Sequence, residues 1–227
     1  MKPNIRAMLA CYFVAGSQDF QGTPDERAAK LLDVLAQALA GGITCFQFRD
    51  KGAGSLAHQP KQRQALAERC RDLCRRHQVP FFIDDDLDLA LAVGADGIHV
   101  GQEDTPPAEI RRRAGQSLII GLSTHTLAQL AQAEADAEAD YCGLGPVFPT
   151  ASKEKHRPPV GLDFVREARA AGITLPIVMI GGIREEHIPI LAANGADGAA
   201  VISAITQADD VAETVKRLKA AALGEAQ

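Results

Sequence analysis

The chain has 227 residues, of which 46% are hydrophobic and 23% charged, and its formal net charge is −5. This is the composition of a globular protein large enough to bury its own core, which excludes a disordered chain or a disulfide-stapled miniature. With 4% aromatic residues, no Trp and a mildly acidic balance, the chain also lacks the basic surface and stacking residues of nucleic-acid binders.

The first apolar run lies at residues 7–16, after Lys2 and Arg6. It is too short to cross a bilayer, and no small-residue cleavage site follows it. We therefore interpret it as a buried strand rather than a membrane span or a signal segment. The chain also has five cysteines and no C-x-x-C motif, which favours reduced thiols and a cytoplasmic location: Cys11, Cys45, Cys70, Cys74 and Cys142.

Short apolar runs alternate along the chain with longer segments of helical pattern. Continuous Ile- and Val-rich runs are typical of strands covered on both faces, and their alternation with helices indicates a parallel sheet. Strands are predicted at Leu9–Val14, Thr44–Phe48, Pro80–Ile83, Gly97–Val100, Leu118–Leu122, Tyr141–Gly143, Ile177–Ile180 and Ala199–Ile202. The clearest helices are predicted at Asp25–Ala40, Lys61–His77, Leu127–Glu138 and Asp209–Ala222. We predict a single (β/α)8 TIM-barrel domain over residues 1–227, with a doubly wound open sheet as the alternative.

The segment Gly94-Ala95-Asp96-Gly97 recurs as Gly195-Ala196-Asp197-Gly198, each time directly before a predicted strand. A helix that ends at a glycine and turns into a strand has this pattern. We interpret both segments as turns at the stability face of the barrel, opposite the chemistry.

Catalytic groups of such a barrel come from the carboxyl ends of the strands and the loops that follow them. After the second predicted strand the sequence reads Gln47-Phe48-Arg49-Asp50-Lys51. Alternation along the strand turns Gln47, Arg49 and Lys51 to the same side, where two cations and an amide suit a polyanion. The alternative is a solvated loop, but Gln and Arg at the end of a buried strand need partners.

Acidic residues follow the next two predicted strands. Asp84, Asp85 and Asp86 come directly after the third strand, and Asp104 comes shortly after the fourth. Adjacent strands lie roughly 4.8 Å apart, so carboxylates from these ends can converge on a hard cation such as Mg²⁺. The alternative is that these acids cap the following helices, which we expect of at least one acid in each group.

Hydroxyl and lysine side chains follow the fifth and sixth predicted strands. Ser123 is suited either to cap a helix or to donate to a phosphate, whereas His125 has no triad context. His99, inside a strand, is interpreted as a satisfied core histidine. Residues 143–156 form a long loop with two prolines, typical of a functional lid, and Lys153 within it is a candidate second arm of an anion clamp.

Glycines and a serine follow the last two predicted strands, as Gly181-Gly182 and Ile202-Ser203. Glycine permits close backbone approach, and N–H groups at the start of a short helix bind phosphate. The loops after the seventh and eighth strands are the common phosphate site of this fold. The residues thus predict two anion sites in one mouth and favour substitution of a diphosphate by a phosphorylated nucleophile.

Several ordered motifs resemble those of the thiamine phosphate synthase family, over a stretch from about Cys11 to Ala221. The family's Q-L-R-E-K corresponds to residues 47–51, G-x-H-x-G-Q-x-D to 97–104, G-P-x-F-P-T-x-T-K to 145–153 and V-I-S-A-I to 201–205. That family joins hydroxymethylpyrimidine diphosphate to a thiazole phosphate with Mg²⁺. Diphosphate leaves before the thiazole nitrogen attacks. The resemblance implies the same reaction here.

The resemblance also implies roles for individual residues. Mg²⁺ would be bound by Asp85 and Asp104, and the pyrimidine would face Gln47. The catalytic candidates, which would hold the diphosphate, are Arg49, Lys51, Ser123 and Lys153. The further substrate-binding candidates are Asp84, Thr150, Ser152, Gly182, Ile202 and Ser203.

Three positions depart from the family pattern. Asp84 stands where the family usually has Asn, and an ionised carboxylate cannot donate to a phosphate. Ser152 replaces Thr. Met179 replaces the first Gly of G-I-G-G-I, where we expect its side chain to narrow the pocket.

Two alternative functions remain open at this stage. One is a thiazole tautomerase, which would need neither metal nor diphosphate clamp, and the other is a barrel that binds a phospho-ligand without catalysis. The expected partners are small-molecule substrates, with no nucleic acid and no membrane, and the sequence leaves homo-oligomer formation open.

Overall fold

The computed structural model describes residues 4–149 and 158–224 of the chain. Its strands are β1 (Cys11–Ala15), β2 (Cys45–Phe48), β3 (Phe81–Asp84), β4 (Gly97–Val100), β5 (Ile119–Thr124), β6 (Tyr141–Leu144), β7 (Ile177–Ile180) and β8 (Gly198–Val201). All neighbours are parallel, and the strands follow one another around a closed barrel in which β8 pairs with β1. The predicted TIM barrel is confirmed. The open-sheet alternative is wrong, because each of the eight described strands pairs with a neighbour on both sides.

The helices surround this barrel, and local sequence sets several of their ends. They are α1 (Ile5–Leu9), α2 (Pro24–Gly41), α3 (Pro60–Arg76), α4 (Leu87–Val93), α5 (Pro107–Ala114), α6 (Leu127–Asp136), α7 (Phe164–Ala170), α8 (Ile188–Ala193), α9 (Ser203–Thr206) and α10 (Val211–Leu223). Helix α2, for example, begins at a capping box between Thr23 and Glu26 and ends at Gly42 in the left-handed conformation. Among the helices described, none combines the length and the apolar character that a membrane crossing requires.

Six of the eight strands begin or end one or two residues away from the predicted bounds, and at the first strand the difference changes the element. Leu9 was predicted to begin the first strand, but it is the last residue of α1, a helix capped by the side chain of Asn4. Met8 and Leu9 are buried in the interior of the barrel, so α1 closes its amino-terminal end. The carbonyl of Leu9 lies so close to Gly198 that a Cβ there would be 1.8 Å from the oxygen, which explains the glycine.

Alternate residues of each strand face the barrel interior and the surrounding helices. The interior core includes Tyr12, Val14, Cys45, Phe82, Ile119, Tyr141, Val178 and Ala200. The outer core, between strands and helices, includes Phe13, Phe46, Phe81, Ile83 and Met179. This alternation decides which residues at the strand ends point into the mouth, by which we mean the opening at the carboxyl ends of the strands.

A repeated hydrogen bond fastens the opposite end of the barrel. The residue directly before each even-numbered strand accepts the backbone N–H from the start of the preceding odd-numbered strand. We call these four hydrogen bonds the floor contacts. They run from the backbone N–H to a side-chain oxygen, at N···O distances of 2.8–2.9 Å: Cys11 to Thr44, Phe81 to Asp96, Ile120 to Asp140 and Ile177 to Asp197. The two G-A-D-G segments are therefore turns of the stability face, as predicted from the sequence.

Replacement of Asp197 by Ala is expected to destabilise the protein without affecting the mouth. Asp197 accepts from the N–H of Ile177 and from Arg169, both at 2.8 Å, and it also pairs with Arg6. Loss of these bonds from a largely buried carboxylate should cost about 3 kcal/mol. A lower midpoint of urea unfolding, followed by circular dichroism, would show this. Glu213→Gln, which breaks an exposed pair with Lys216, should shift the midpoint little.

The five cysteines are free thiols, and all five are buried. Burial raises the pKa of Cys11 and Cys142 to about 12, and it raises the pKa of the other three thiols as well. Because the thiolate is the reactive form, these cysteines serve as small apolar core residues. The expectation of unpaired, reduced thiols is confirmed.

Candidate active site at the mouth of the barrel

Cations from the end of β2 meet carboxylates from the end of β3. Arg49 Nε lies 3.6 Å and Lys51 Nζ 3.0 Å from Oδ2 of Asp84, and Lys51 also pairs with Asp85. Burial alone would lower the pKa of Lys51, but the carboxylates of Asp84 and Asp85 outweigh it and raise the pKa. The predicted convergence of the 47–51 and 84–85 segments on one site is therefore observed.

The three consecutive aspartates have different structural roles. Asp84 is buried beside the two cations, whereas Asp86 caps α4 by accepting the N–H of Leu89 and pairs with Arg63. The helix-capping alternative is thus correct for Asp86. Asp85 lies between them with a φ of 61°, a left-handed conformation that aspartate adopts more readily than most residues. Its N–H donates to the carbonyl of His99 at 2.8 Å, which fixes it beside β4.

Asp104 lies next to Asp85 after β4. Its Oδ2 accepts the N–H of Gly101 at 2.8 Å, so it caps a turn rather than the following helix, which begins without a side-chain cap. Partial desolvation at the mouth and the neighbouring charge of Asp85 raise the pKa of Asp104. A carboxylate that lies this close to a second carboxylate is suited to share a cation with it.

The donor chemistry of Asp85 and Asp104 fits Mg²⁺, which binds one or two protein carboxylates and completes its shell with water and substrate oxygens. In residues 4–149 and 158–224, no group of three His, Cys, Asp or Glu side chains forms a complete metal cage. Such an open pair matches a metal that arrives with a phosphorylated substrate better than a structural zinc site.

Asp50 supports this arrangement from the outer side of β2. Its side chain is buried and accepts from Ser17 N at 2.8 Å, from Ser17 Oγ and from Leu56 N at 2.9 Å. These bonds hold the segment that carries Lys51 against the loop after β1. This role of Asp50 was not predicted from the sequence. Its position between Arg49 and Lys51, which both face inward, could have indicated that its carboxylate faces outward and needs partners there.

A chain of polar side chains crosses the barrel interior beneath the mouth. Gln47 donates to the hydroxyl of Tyr12 at 3.1 Å, and the Tyr12 and Tyr141 hydroxyls are 2.9 Å apart. His99 Nδ1 lies 3.1 Å from the Tyr141 hydroxyl, and its Nε2 lies 2.9 Å from Ser123 Oγ. His99 is satisfied, as predicted, but it contacts a predicted site residue. Tyr12 and Tyr141 were not predicted as site residues, since an aromatic residue in an apolar strand carries no signal of its own.

The pocket at the mouth has one polar and one apolar side. The polar side is formed by residues of β2 to β5, including Gln47, Arg49, Asp84, His99 and Ser123. The apolar side is formed by Val14, Val178, Ile180, Ala200 and Ile202. An elongated ligand with a charged end and a flat apolar part would match both sides.

The rim after β7 and β8 has the predicted backbone features. Gly182 is exposed with a φ of 66°, and a Cβ there would lie 2.8 Å from that of Phe148, so a side chain does not fit. Ser203 is exposed and begins α9, where the first N–H groups have no partner within the helix. Thr150 and Ser152, which were predicted to bind substrate beside Gly182 and Ser203, lie outside the described residues, as does Lys153, which was predicted to hold the diphosphate.

The expectation that Met179 narrows the pocket is wrong. Met179 is fully buried in the outer core, where it pairs in register with Leu144 and Ala199. Its neighbours Val178 and Ile180 face the pocket instead, because successive residues of a strand point to opposite faces.

This difference in direction gives a kinetic expectation. Met179→Leu, which conserves volume in the outer core, should leave KM for every substrate unchanged and cost less than about 1.5 kcal/mol of stability. Val178→Met places the same side chain inside the pocket and should raise KM. Steady-state kinetics of both purified variants would check the pair, and a larger KM effect for the Met179 variant would contradict the assignment.

Comparisons with known proteins point to one family. A family model described as thiamine monophosphate synthase matches residues 11–205. The chain is 57% identical to a thiamine-phosphate synthase of Actinobacillus pleuropneumoniae, over 95% of this chain and 99% of that protein. It is 53% identical to one of Haemophilus influenzae, over 96% of each. A solved thiamine phosphate pyrophosphorylase from Pyrococcus furiosus superimposes with a TM-score of 0.81 and 32% identity, covering 99% of this chain and 100% of that one.

Proposed function

Because this chain belongs to the thiamine monophosphate synthase family, we propose that its barrel mouth joins hydroxymethylpyrimidine diphosphate to a thiazole phosphate. The products are thiamine phosphate and diphosphate, and the chain is accordingly a transferase. The observation that carries the assignment of the site is the meeting of Arg49 and Lys51 with Asp84 and Asp85 at one opening.

The charge balance of this cluster supports a metal-bound diphosphate. At neutral pH the formal charges of Arg49 and Lys51 cancel those of Asp84 and Asp85, and Asp104 adds a further negative charge. A diphosphate would therefore meet little net attraction from these side chains alone. Mg²⁺ at Asp85 and Asp104 would supply the missing positive charge and neutralise the leaving diphosphate. Lys153, in the sequence that follows β6, would add another cation.

The protein's own groups would orient the leaving group and exclude water. Arg49, Lys51 and Ser123 would donate to the diphosphate oxygens, so that negative charge is stabilised as the bond to the pyrimidine methylene breaks. Gln47 would hold the edge of the pyrimidine beside Tyr12. The resulting cation needs a dry pocket, and the apolar side chains opposite suit that purpose.

The apolar side of the pocket would receive the thiazole. Its phosphate would lie at the rim, against the backbone of Gly182, Ile202 and Ser203 and the hydroxyls of Thr150 and Ser152. The thiazole nitrogen would then face the methylene carbon that the diphosphate leaves. No protein nucleophile is required for this substitution.

Turnover with defined substrates tests the proposal. The purified chain is expected to release diphosphate only when hydroxymethylpyrimidine diphosphate, thiazole phosphate and Mg²⁺ are all present, with thiamine phosphate formed in equal amount. Metal-independent isomerisation of a thiazole alone would support a tautomerase instead. Product binding without turnover would support a non-catalytic barrel.

A further inference from the structure

The buried polar chain beneath the mouth connects the two halves of the proposed diphosphate substrate. Gln47, at one end, is a candidate for the pyrimidine, and Ser123, at the other, is a candidate for the diphosphate. Between them Tyr12, Tyr141 and His99 are linked by contacts of 2.9–3.1 Å. Both tyrosines are fully buried, and burial raises the pKa of each hydroxyl well above its usual value, so both remain neutral donors.

The room for the His99 ring is created by two glycines. A Cβ at Gly121 would lie 2.4 Å from His99 Nδ1, and a Cβ at Gly143 would lie 2.9 Å from its Cε1. The ring is therefore held in a slot between β5 and β6, with one nitrogen toward Tyr141 and the other toward Ser123. A side chain fixed in this way has little freedom to change partners.

The direction of the hydrogen bonds follows from the donor at one end. The Gln47 amide nitrogen can only donate, so the Tyr12 oxygen accepts from it. The Tyr12 hydrogen then has two acceptors within reach, the Cys45 thiol and the Tyr141 oxygen, and it goes to Tyr141 because a thiol sulfur is the weaker acceptor. Tyr141 in turn donates to Nδ1 of His99, which leaves the imidazole proton on Nε2. Nε2–H then donates to Ser123 Oγ, and the Ser123 hydrogen is left to point into the pocket.

We propose that His99 and Tyr141 are positioning residues that orient the Ser123 hydroxyl as a donor toward the leaving diphosphate. The identity of this anion rests on the function proposed above, whereas the direction of the hydrogen bonds does not. If Nε2 carried no proton, the Ser123 hydroxyl could instead donate its hydrogen to His99 and present its lone pairs to the anion, which would repel it.

Kinetics of matched variants test the positioning role. His99→Leu and Tyr141→Phe are expected to lower kcat about tenfold or more, with little change in KM for the thiazole phosphate. His99→Gln keeps a donor near the position of Nε2 and should restore most of the rate. Thr124→Val removes a buried hydroxyl from the next residue of β5, on its outer side, and should not change kcat. Equal rates for the Leu and Gln variants would overturn the proposal.

Two measurements remain informative even if the wild type shows no turnover. Long-range ¹H–¹⁵N spectra of the six histidines should show His99 as the Nε2–H tautomer, assigned by loss of its signals in His99→Gln. A proton on Nδ1 would overturn the proposal. Calorimetric titration of inorganic diphosphate with Mg²⁺ should give about tenfold weaker binding to His99→Leu than to wild type. Equal binding would count against the role of Ser123, and absent turnover alone would count against the proposed function.

Discussion

Asp104→Asn is expected to reduce turnover by about a thousand-fold or more, because it removes one of two carboxylates proposed to bind Mg²⁺. The amide retains an oxygen that can accept the N–H of Gly101, which Asp104 now does at 2.8 Å. The turn should therefore stay folded while the charge is lost. The measurement is the rate of diphosphate release as a function of Mg²⁺ concentration, and the half-saturating concentration should rise.

Asp85→Asn should weaken Mg²⁺ in the same way, and Asp88→Asn provides the matched control. Asp88 is only four residues beyond Asp84, but its side chain is 82% exposed and pairs with Arg113 on the surface. The same change of charge there should leave both the rate and the Mg²⁺ dependence unaltered. An Asp104→Asn protein with normal Mg²⁺ dependence would show that the metal binds elsewhere.

Arg49→Met should lower kcat/KM for hydroxymethylpyrimidine diphosphate by about a hundred-fold or more, the usual cost of losing one donor to a developing anion. The Arg49 side chain is only 12% exposed, so its charge acts in a partly desolvated pocket where hydrogen bonds to an anion are strong. Methionine keeps much of the side-chain volume. Initial rates over a range of the diphosphate substrate, at saturating thiazole phosphate, provide the measurement.

A second consequence of the same change must be separated from the loss of a donor. Removing Arg49 leaves Asp84 with Lys51 as its remaining cation, so repulsion from Asp84 contributes to the loss. The double variant Arg49→Met/Asp84→Asn removes that repulsion and should recover part of the activity. If it recovers all of it, Arg49 serves to neutralise Asp84 rather than to bind the diphosphate.

The order of the strands and the acidic and basic residues of the mouth could be predicted from sequence because each has a local signal. Runs such as Phe81–Ile83 are apolar throughout, and the charged residues directly after them need polar or charged partners. The closed barrel brings these strand ends together, so knowledge of the fold was enough to bring Lys51 and Asp85 into one site.

Direction within a strand could not be predicted in the same way. Four apolar residues look alike whether they face the interior or the helices, and this is why Met179 was expected in the pocket. Tyr12 and Tyr141 were not predicted for a related reason. Their hydroxyls form a hydrogen bond only because the closed barrel brings β1 and β6 together, with the two oxygens 2.9 Å apart. The end of α1 was missed because Leu9 continues an apolar run into Cys11.

The floor contacts divide the barrel into four consecutive strand pairs, each closed by a bond between its own two members. Neighbouring pairs are joined at the same end by backbone hydrogen bonds, such as the one from Ile119 N–H to the carbonyl of Asp96 at 3.0 Å. Substitutions of residues at the mouth do not remove any of the four floor contacts. Such a barrel can change the ligand that it binds through successive mutations, while the hydrogen bonds at the amino-terminal ends of its strands remain the same.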